Sequence, residues 1–180
     1  MLHAALQNVE QAVRGRGIPN PVVLIDGRSG AGKSTLARLL IECWRGPVQL
    51  VALDSLYPGW DGLDAASQIV RDQILVPVRR GEAGVWRRWD WGRDAPAEEH
   101  RVRPDRPLVI EGSGALTAGS AALADVTVWM DGPESARRRR ALSRDGDAYR
   151  PHWERWARQE ERHVARDRPD GLAQILIEVP

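Results

Sequence analysis

The sequence predicts an α/β fold in which a five-stranded parallel sheet is flanked by helices. Short apolar runs rich in β-branched residues, of the kind that form buried parallel strands, occur five times in the 180 residues. Segments with helical spacing of apolar residues separate these runs, and such alternation is typical of a parallel, doubly wound sheet. The predicted strands are residues 22–26, 48–53, 107–112, 126–130 and 175–179.

A glycine-rich segment joins the first predicted strand to the helix that follows it. Residues 27–35 fit the pattern G-x-x-x-x-G-K-[ST] of a phosphate-binding P-loop. Glycines allow backbone N–H groups to converge on a phosphate, and the helix start adds its positive dipole end. We therefore expect a three-layer P-loop NTPase fold. The residues expected to bind nucleotide are Gly27, Ser29, Gly30, Ala31, Gly32, Lys33, Ser34 and Thr35.

Lys33 is the only lysine among the 26 lysines and arginines of the chain. A compact, rotatable ammonium suits the outer phosphates of a nucleotide, and the Ser34 hydroxyl can ligate Mg²⁺. The same observation excludes a conventional GTPase, because the guanine-reading motif N-K-x-D requires a second lysine.

The remaining helices are predicted from apolar spacing and from stop signals. Leu2, Leu6, Val9 and Val13 mark the first helix, which should end at Gly15 or Gly17. A second helix should follow the P-loop to about residue 44, and a third should run from residue 64 or 67 to about 75. Later helices are expected to begin at Pro133 and to cover about 153–166.

The composition indicates one globular domain over residues 1–180. The net charge of +1 gives no reason to expect a nucleic-acid or membrane partner. No secretory signal and no long apolar run is evident, so a cytoplasmic location is expected. The single cysteine, Cys43, is expected to lie buried on the apolar face of the second helix. The sequence leaves both a monomer and a homo-oligomer open.

Two acidic residues stand at the ends of predicted strands. Asp54 follows the second strand and Glu111 ends the third. Ligands of open parallel sheets bind at the carboxyl ends of the strands, so both acids should face the P-loop crevice. Glu111 ends an apolar run in the manner of a Walker B acid, which acts on Mg²⁺ directly or through water. For Asp54 the simpler alternative is an aspartate that caps the next turn.

An insertion of about residues 76–106 separates the second and third strands. Apolar and charged residues alternate from Val85 to Trp91, which predicts one strand of an exposed β pair. Its tryptophans, with an arginine and an aspartate nearby, could stack on a planar ligand, or they could form a small satellite core.

The helix after the fourth strand is rich in arginine, and we expect residues 137–150 to form a lid. Arg137, Arg140 and Arg144 share one helical face, and arginines near a P-loop stabilise charge on a transferring phosphoryl group. The alternatives are a solvated basic face or an RNA contact, and the net charge of +1 without a wider basic stripe argues against RNA. Residues 146–150 are expected to form a mobile loop.

These motifs together resemble the uridine kinase and phosphoribulokinase-like family of P-loop small-molecule kinases. The residues that carry the resemblance are Asp26 to Thr35, Leu53 to Tyr57, Arg88 to Trp91 and Val109 to Gly112, with Arg137, Arg140, Arg144 and Asp145 in the lid. The chain departs from the family pattern in having Trp89 where a tyrosine is usual, and in lacking an R-G pair after Asp145.

The resemblance implies an ATP-dependent kinase with Mg²⁺ as cofactor. Asp54 would be the general base, Lys33, Arg140 and Arg144 would act on the phosphates, and Ser34 and Glu111 would hold the metal. The substrate would be contacted by Asp54, Tyr57, Trp89, Asp90 and Glu111. The acceptor implied first is a nucleoside of the uridine or cytidine type. A nucleoside monophosphate or another small hydroxyl compound stays open, as does an ATP-binding regulatory module without an acceptor.

Overall fold

The computed structural model describes residues 2–180. The strands are β1 Val22–Gly27, β2 Gln49–Ala52, β3 Gly84–Asp90, β4 Ala95–Val102, β5 Leu108–Glu111, β6 Val126–Asp131 and β7 Ile175–Glu178. The helices are α1 Leu2–Gly15, α2 Lys33–Glu42, α3 Leu63–Ile69, α4 Val76–Arg79, α5 Ala118–Ala121, α6 Glu134–Tyr149, α7 Trp153–Asp167 and α8 Pro169–Leu172. No helix in this range is both long enough and apolar enough to cross a lipid bilayer.

The main sheet has five strands in the order β2-β5-β1-β6-β7, and every pair is parallel. This confirms the predicted α/β fold with a five-stranded parallel sheet. β1 lies at the centre, hydrogen-bonded to β5 and β6, and each of its residues is buried. The P-loop therefore begins at the best protected strand of the protein.

Two apolar clusters pack on opposite faces of the sheet. One joins α1 and α2 to the sheet through residues such as Val9, Leu36 and Leu40. The other joins the sheet to α3, α6 and α7, with Leu63 and Trp153 among its buried members. The sheet is thus the middle of three layers.

The predicted exposed β pair is present as an antiparallel hairpin of β3 and β4. It follows a long helical segment in which α3 continues through a π-helical turn at Val70–Leu75 into α4. Trp86 of β3 is buried in the main apolar cluster and stacks on His100 of β4. This tryptophan therefore serves packing, but in the core of the main sheet and not in a separate satellite core.

Two local predictions are wrong. Cys43 is exposed, because α2 ends at Glu42 and the cysteine forms the helix cap beyond the apolar face. Residues 146–149 are the end of α6, which passes a kink at Gly146 (φ 59°, ψ −136°). Tyr149 is buried after this kink, in a segment whose glycine and polar residues suggested a loop.

A buried histidine joins α7 to the start of the P-loop. Asp26, fully buried near the end of β1, accepts hydrogen bonds from the backbone N–H groups of Gly27 (2.6 Å), Gly114 (2.9 Å) and Leu116 (2.7 Å). His163 of α7 places Nε2 3.0 Å from Asp26 Oδ2 and Nδ1 2.8 Å from Asp167 Oδ2. Burial lowers the pKa of His163, but its hydrogen bonds to the two carboxylates outweigh burial and leave the pKa raised.

Replacing His163 with alanine should destabilise the protein, because a buried carboxylate then loses its cationic partner. Breaking a buried pair in this way costs about 3–5 kcal/mol of unfolding free energy. The stabilisation by the imidazolium is complete below the ordinary histidine pKa of about 6.5 and is lost as the pH rises through the raised pKa of the folded state. Urea unfolding should therefore show a gap between wild type and His163→Ala that narrows on going from about pH 6 to about pH 9.

The control for this prediction is Arg162→Ala, which removes an exposed cation from the same helix. That variant should unfold within about 0.5 kcal/mol of wild type. A gap for His163→Ala that is equally wide at every pH would contradict the role given to the charge.

Candidate active site

The P-loop fits closely against β6 and α6. Gly27 and Gly30 both have positive φ, at 153° and 77°. A Cβ atom at Gly27 would overlap the carbonyl oxygen of Met130, and one at Gly30 would overlap that of Arg137. These two glycines are therefore required by close backbone approach as well as by their dihedral angles.

Basic side chains bind the carbonyl groups of the P-loop. Lys33 Nζ, which is buried, donates to Gly27 O (2.8 Å), Arg28 O (3.1 Å) and Ser113 Oγ (3.2 Å). An ammonium has three protons, so all of its donors are used. Arg137 Nη1 donates to Ser29 O (3.2 Å), and Arg140 Nε donates to Gly30 O (2.7 Å). Four consecutive P-loop carbonyls thus accept from cations.

A cavity of about 320 Å³ opens beside the P-loop at the carboxyl ends of the strands. It brings together P-loop groups, carboxylates and aromatic rings from segments far apart in sequence. Its lining consists of Ser29, Lys33, Ser34, Asp54, Tyr57, Trp60, Trp91, Glu111, Ser113, Arg144, Asp145, Ala148, Tyr149 and Trp156.

Two carboxylates, Asp54 and Glu111, lie at the end of the cavity next to the P-loop, which we call the phosphate end. The pKa of Glu111 is raised, chiefly by burial and also by the charge of Asp54. Lys33 and a hydrogen bond from Ser34 lower this pKa, but by less. Asp54 and Glu111 thus line one cavity together with Lys33 and Ser34. Mg²⁺ is usually held in proteins by one or two carboxylates together with phosphate and water oxygens. Ser34, Glu111 and Asp54 offer a donor set that fits this ion.

Aromatic rings form the wall next to Asp54, and we call Trp60, Trp91, Tyr149 and Trp156 the aromatic wall. The ring of Trp60 is nearly parallel to that of Tyr149 (5.5 Å, 9°) and lies 5.0 Å from that of Trp91. Trp91 Nε1 donates to Asp54 O (2.8 Å), which fixes the indole beside the acid. The cavity therefore has a charged end and an aromatic side.

The three arginines that were expected in a lid differ in their contacts. Arg144 lines the cavity, where Asp145 pairs with it at 2.7 and 2.8 Å and raises its pKa. Arg137 is buried and is bound by Gly132 O and Asp131 as well as by Ser29 O. Arg140 binds Gly30 O and Pro180 O. Of the three, the structure brings only Arg144 to the cavity.

Of the other residues expected to bind metal or substrate, some line the cavity and some do not. Lys33, Ser34, Asp54, Tyr57 and Glu111 lie in the lining. Trp89 and Asp90 do not. Asp90 Oδ1 accepts from the N–H groups of the turn at Gly92 (3.0 Å) and Arg93 (3.1 Å), so its carboxylate stabilises the tip of the hairpin. Trp91 is the hairpin residue that reaches the cavity.

Several lining residues gave no signal in the sequence. Trp60 lies in a turn-rich loop, and Trp156 lies in a strongly charged helix. Ser113 Oγ donates to Gly27 O or to Glu160 Oε1, both at 2.9 Å, and also accepts from Lys33. Helical spacing along α7 shows which of its residues face inwards, but it does not show that they face a P-loop.

Comparison with known proteins supports the fold. No family model matches the chain, and no curated protein matches it. A "possible uridine kinase" from Bacillus stearothermophilus has a similar structure, with TM-score 0.68, 18% identity and 98% of each chain covered. A "putative fructose transport system kinase" from a Silicibacter species has TM-score 0.59 and 22% identity, with 100% of this chain and 99% of that chain covered. The predicted resemblance to uridine kinase-like P-loop kinases is confirmed as a resemblance of fold over nearly the whole chain.

The raised pKa of Glu111 has a consequence for stability. An acid with a raised pKa in the folded state favours folding while it is protonated, and this benefit is lost as the pH rises through that pKa. Glu111→Gln, which cannot ionise, should therefore be more stable than wild type at about pH 7.5, by a few degrees in Tm. The gain should shrink as the pH falls towards about 4.5.

Scanning calorimetry without added nucleotide or metal measures this difference. Glu161→Gln is the matched control, since it makes the same change at an exposed position. A lower Tm for Glu111→Gln at neutral pH would show that the ionised carboxylate stabilises the fold, contrary to the prediction.

Proposed function

We propose that this protein is a kinase that transfers the γ-phosphoryl group of ATP to a hydroxyl group of a small molecule, in the first place a nucleoside of the uridine or cytidine type. The observation that carries the proposal is the presence of Asp54 in one cavity with Lys33, Ser34 and Glu111. A P-loop alone binds a nucleotide, whereas a carboxylate in the same cavity provides a base for an acceptor. ATP as the phosphoryl donor agrees with the cytoplasmic location that the sequence predicts.

On the donor side, the β- and γ-phosphates are held by P-loop amides other than those of Ser29 and Ala31, which donate to Glu160 Oε1 and Arg28 O. Lys33 exchanges one of its present acceptors for a phosphate oxygen, since all three of its protons are in use. Ser34 and Glu111 would hold Mg²⁺, with Asp54 nearby. When bound there, the ion neutralises charge on the phosphate oxygens.

On the acceptor side, Asp54 accepts the proton of the substrate hydroxyl. The hydroxyl oxygen bonds to the γ-phosphorus as the bond to the β-phosphate oxygen breaks, and ADP leaves. Arg144 is placed to stabilise the charge on the transferring group. Trp91 and Tyr149 on the sides of the cavity limit access of water, which would otherwise compete as acceptor.

The lining supports a neutral, ring-containing acceptor. Trp60, Trp91, Tyr149 and Trp156 line the cavity, and aromatic rings can stack on a planar base. Lys33 and Arg144 are the only cationic side chains among the described lining residues. Both belong to the phosphate end, so a nucleoside monophosphate would find no cation of its own. These features favour a nucleoside over its monophosphate.

An acceptor panel tests this proposal. ADP release from ATP and Mg²⁺ should increase severalfold over background with uridine or cytidine, and by less with UMP, CMP or fructose. Fructose is included because a similar structure is described as a fructose transport system kinase. Formation of the phosphorylated acceptor is checked by mass spectrometry. The same background with every acceptor would favour the second candidate, an ATP-binding regulatory module.

Two substitutions separate the donor and acceptor roles. Asp54→Ala should lower phosphotransfer by about 10²–10⁴-fold, the usual contribution of a general base, while ADP binding is retained. Lys33→Ala should abolish phosphotransfer and also weaken ADP binding. Circular dichroism melting should show both variants folded.

Asp72→Ala, which removes an exposed aspartate outside the cavity, is the control and should retain the wild-type rate. Unchanged turnover in Asp54→Ala would exclude Asp54 as the base.

A further inference from the structure

Resting on the proposed function, we infer that Glu160 is a positioning residue that ties the P-loop and Lys33 to the aromatic wall of the acceptor site. Glu160 is on α7 and is 2% exposed. It is absent from the cavity lining, but three residues that it contacts belong to that lining. It therefore acts from directly behind the wall of the site.

Three segments of the chain meet at one oxygen of this carboxylate. Glu160 Oε1 accepts from Ser29 N (2.6 Å), Ser113 Oγ (2.9 Å) and Trp156 Nε1 (3.1 Å). Ser29 belongs to the P-loop, Ser113 follows β5, and Trp156 belongs to the aromatic wall. A shift of α7 would thus move the phosphate end and the aromatic side of the cavity together.

The Ser113 hydroxyl extends this arrangement to Lys33. The hydroxyl has one proton and two acceptors in reach, Gly27 O and Glu160 Oε1, both at 2.9 Å. A hydrogen bond to an ionised acceptor is about twice as strong as one to a neutral acceptor, so the proton points to Glu160. The lone pairs of Ser113 then face Lys33 Nζ at 3.2 Å. Glu160 in this way makes Ser113 an acceptor for the ammonium.

The negative charge of Glu160 is costly at this position, since burial raises its pKa more than Lys33 lowers it. Packing alone would be served as well by an uncharged side chain of the same shape, because a buried ion is often neutral or unfavourable for stability. The charge instead complements Lys33 and the N–H group of Ser29. Its effect should consequently appear in nucleotide binding and not in folding.

Glu160→Gln tests the inference, because glutamine keeps the shape and removes the charge. Isothermal titration with ADP should show a Kd about tenfold weaker than wild type, because hydrogen bonds to a charged acceptor become weaker bonds to a neutral one. The Tm without nucleotide should be equal to or above that of wild type. In steady state, the KM for ATP should rise more than kcat falls. Glu161→Gln, the same change at the next, exposed position, should leave all these values unchanged.

Ser113→Ala provides a second, independent variant. It should weaken ADP binding to a similar extent, and the double variant should be no weaker than Glu160→Gln alone, because both changes interrupt one path to Lys33. Additive losses would overturn the link through Ser113.

Two further outcomes distinguish failure of this inference from failure of the proposed function. A lower Tm with unchanged ADP affinity in Glu160→Gln would assign Glu160 to packing and overturn the inference while the proposed function stands. Failure of the wild type to bind ADP would overturn the proposed function, and the inference with it.

Discussion

The candidate active site depends on the buried carboxylate of Asp26. It accepts hydrogen bonds from the backbone N–H groups of Gly27, Gly114 and Leu116. Its Oδ2 also lies 3.0 Å from His163 Nε2. A carboxylate removed from water is tolerated only when such partners replace its hydration. Because these partners belong to the P-loop, to the segment after β5 and to α7, one side chain at the end of the central strand fixes the relative positions of three walls of the cavity.

Helix α7 extends this attachment along its buried face. Trp156, Gln159, Glu160 and His163 are buried at helical spacing, although most of the helix is charged. His163 binds Asp26, Glu160 binds the P-loop, and Gln159 Nε2 donates to Trp60 O (2.6 Å). The helix therefore positions the phosphate end and the aromatic wall from one side, and it does so with polar side chains whose partners lie in other segments.

Local sequence patterns were sufficient to predict the fold and the position of the P-loop within it. The P-loop is defined by adjacent residues, and the strands by unbroken apolar runs, so both were predictable from the sequence. The α7 contacts were not, since Ser29 and Glu160 are 131 positions apart and Asp26 and His163 are 137 apart. The hairpin was predicted, but which of its tryptophans reaches the cavity depends on a register shift between Arg87 and Trp89 and on the turn after Asp90.

The contacts of the cations around the P-loop explain why only one of the three arginines on this face of α6 lines the cavity. A P-loop that directs its N–H groups to a phosphate must direct its carbonyl groups elsewhere. Here Lys33, Arg137 and Arg140 bind the carbonyls of residues 27–30, and Arg144 lies one turn beyond the last of them, in the cavity. Position along α6 thus separates the arginines that hold the P-loop from the one that lines the cavity. The shared helical face could not reveal this division, because it is set by the close approach of Gly30 to Arg137.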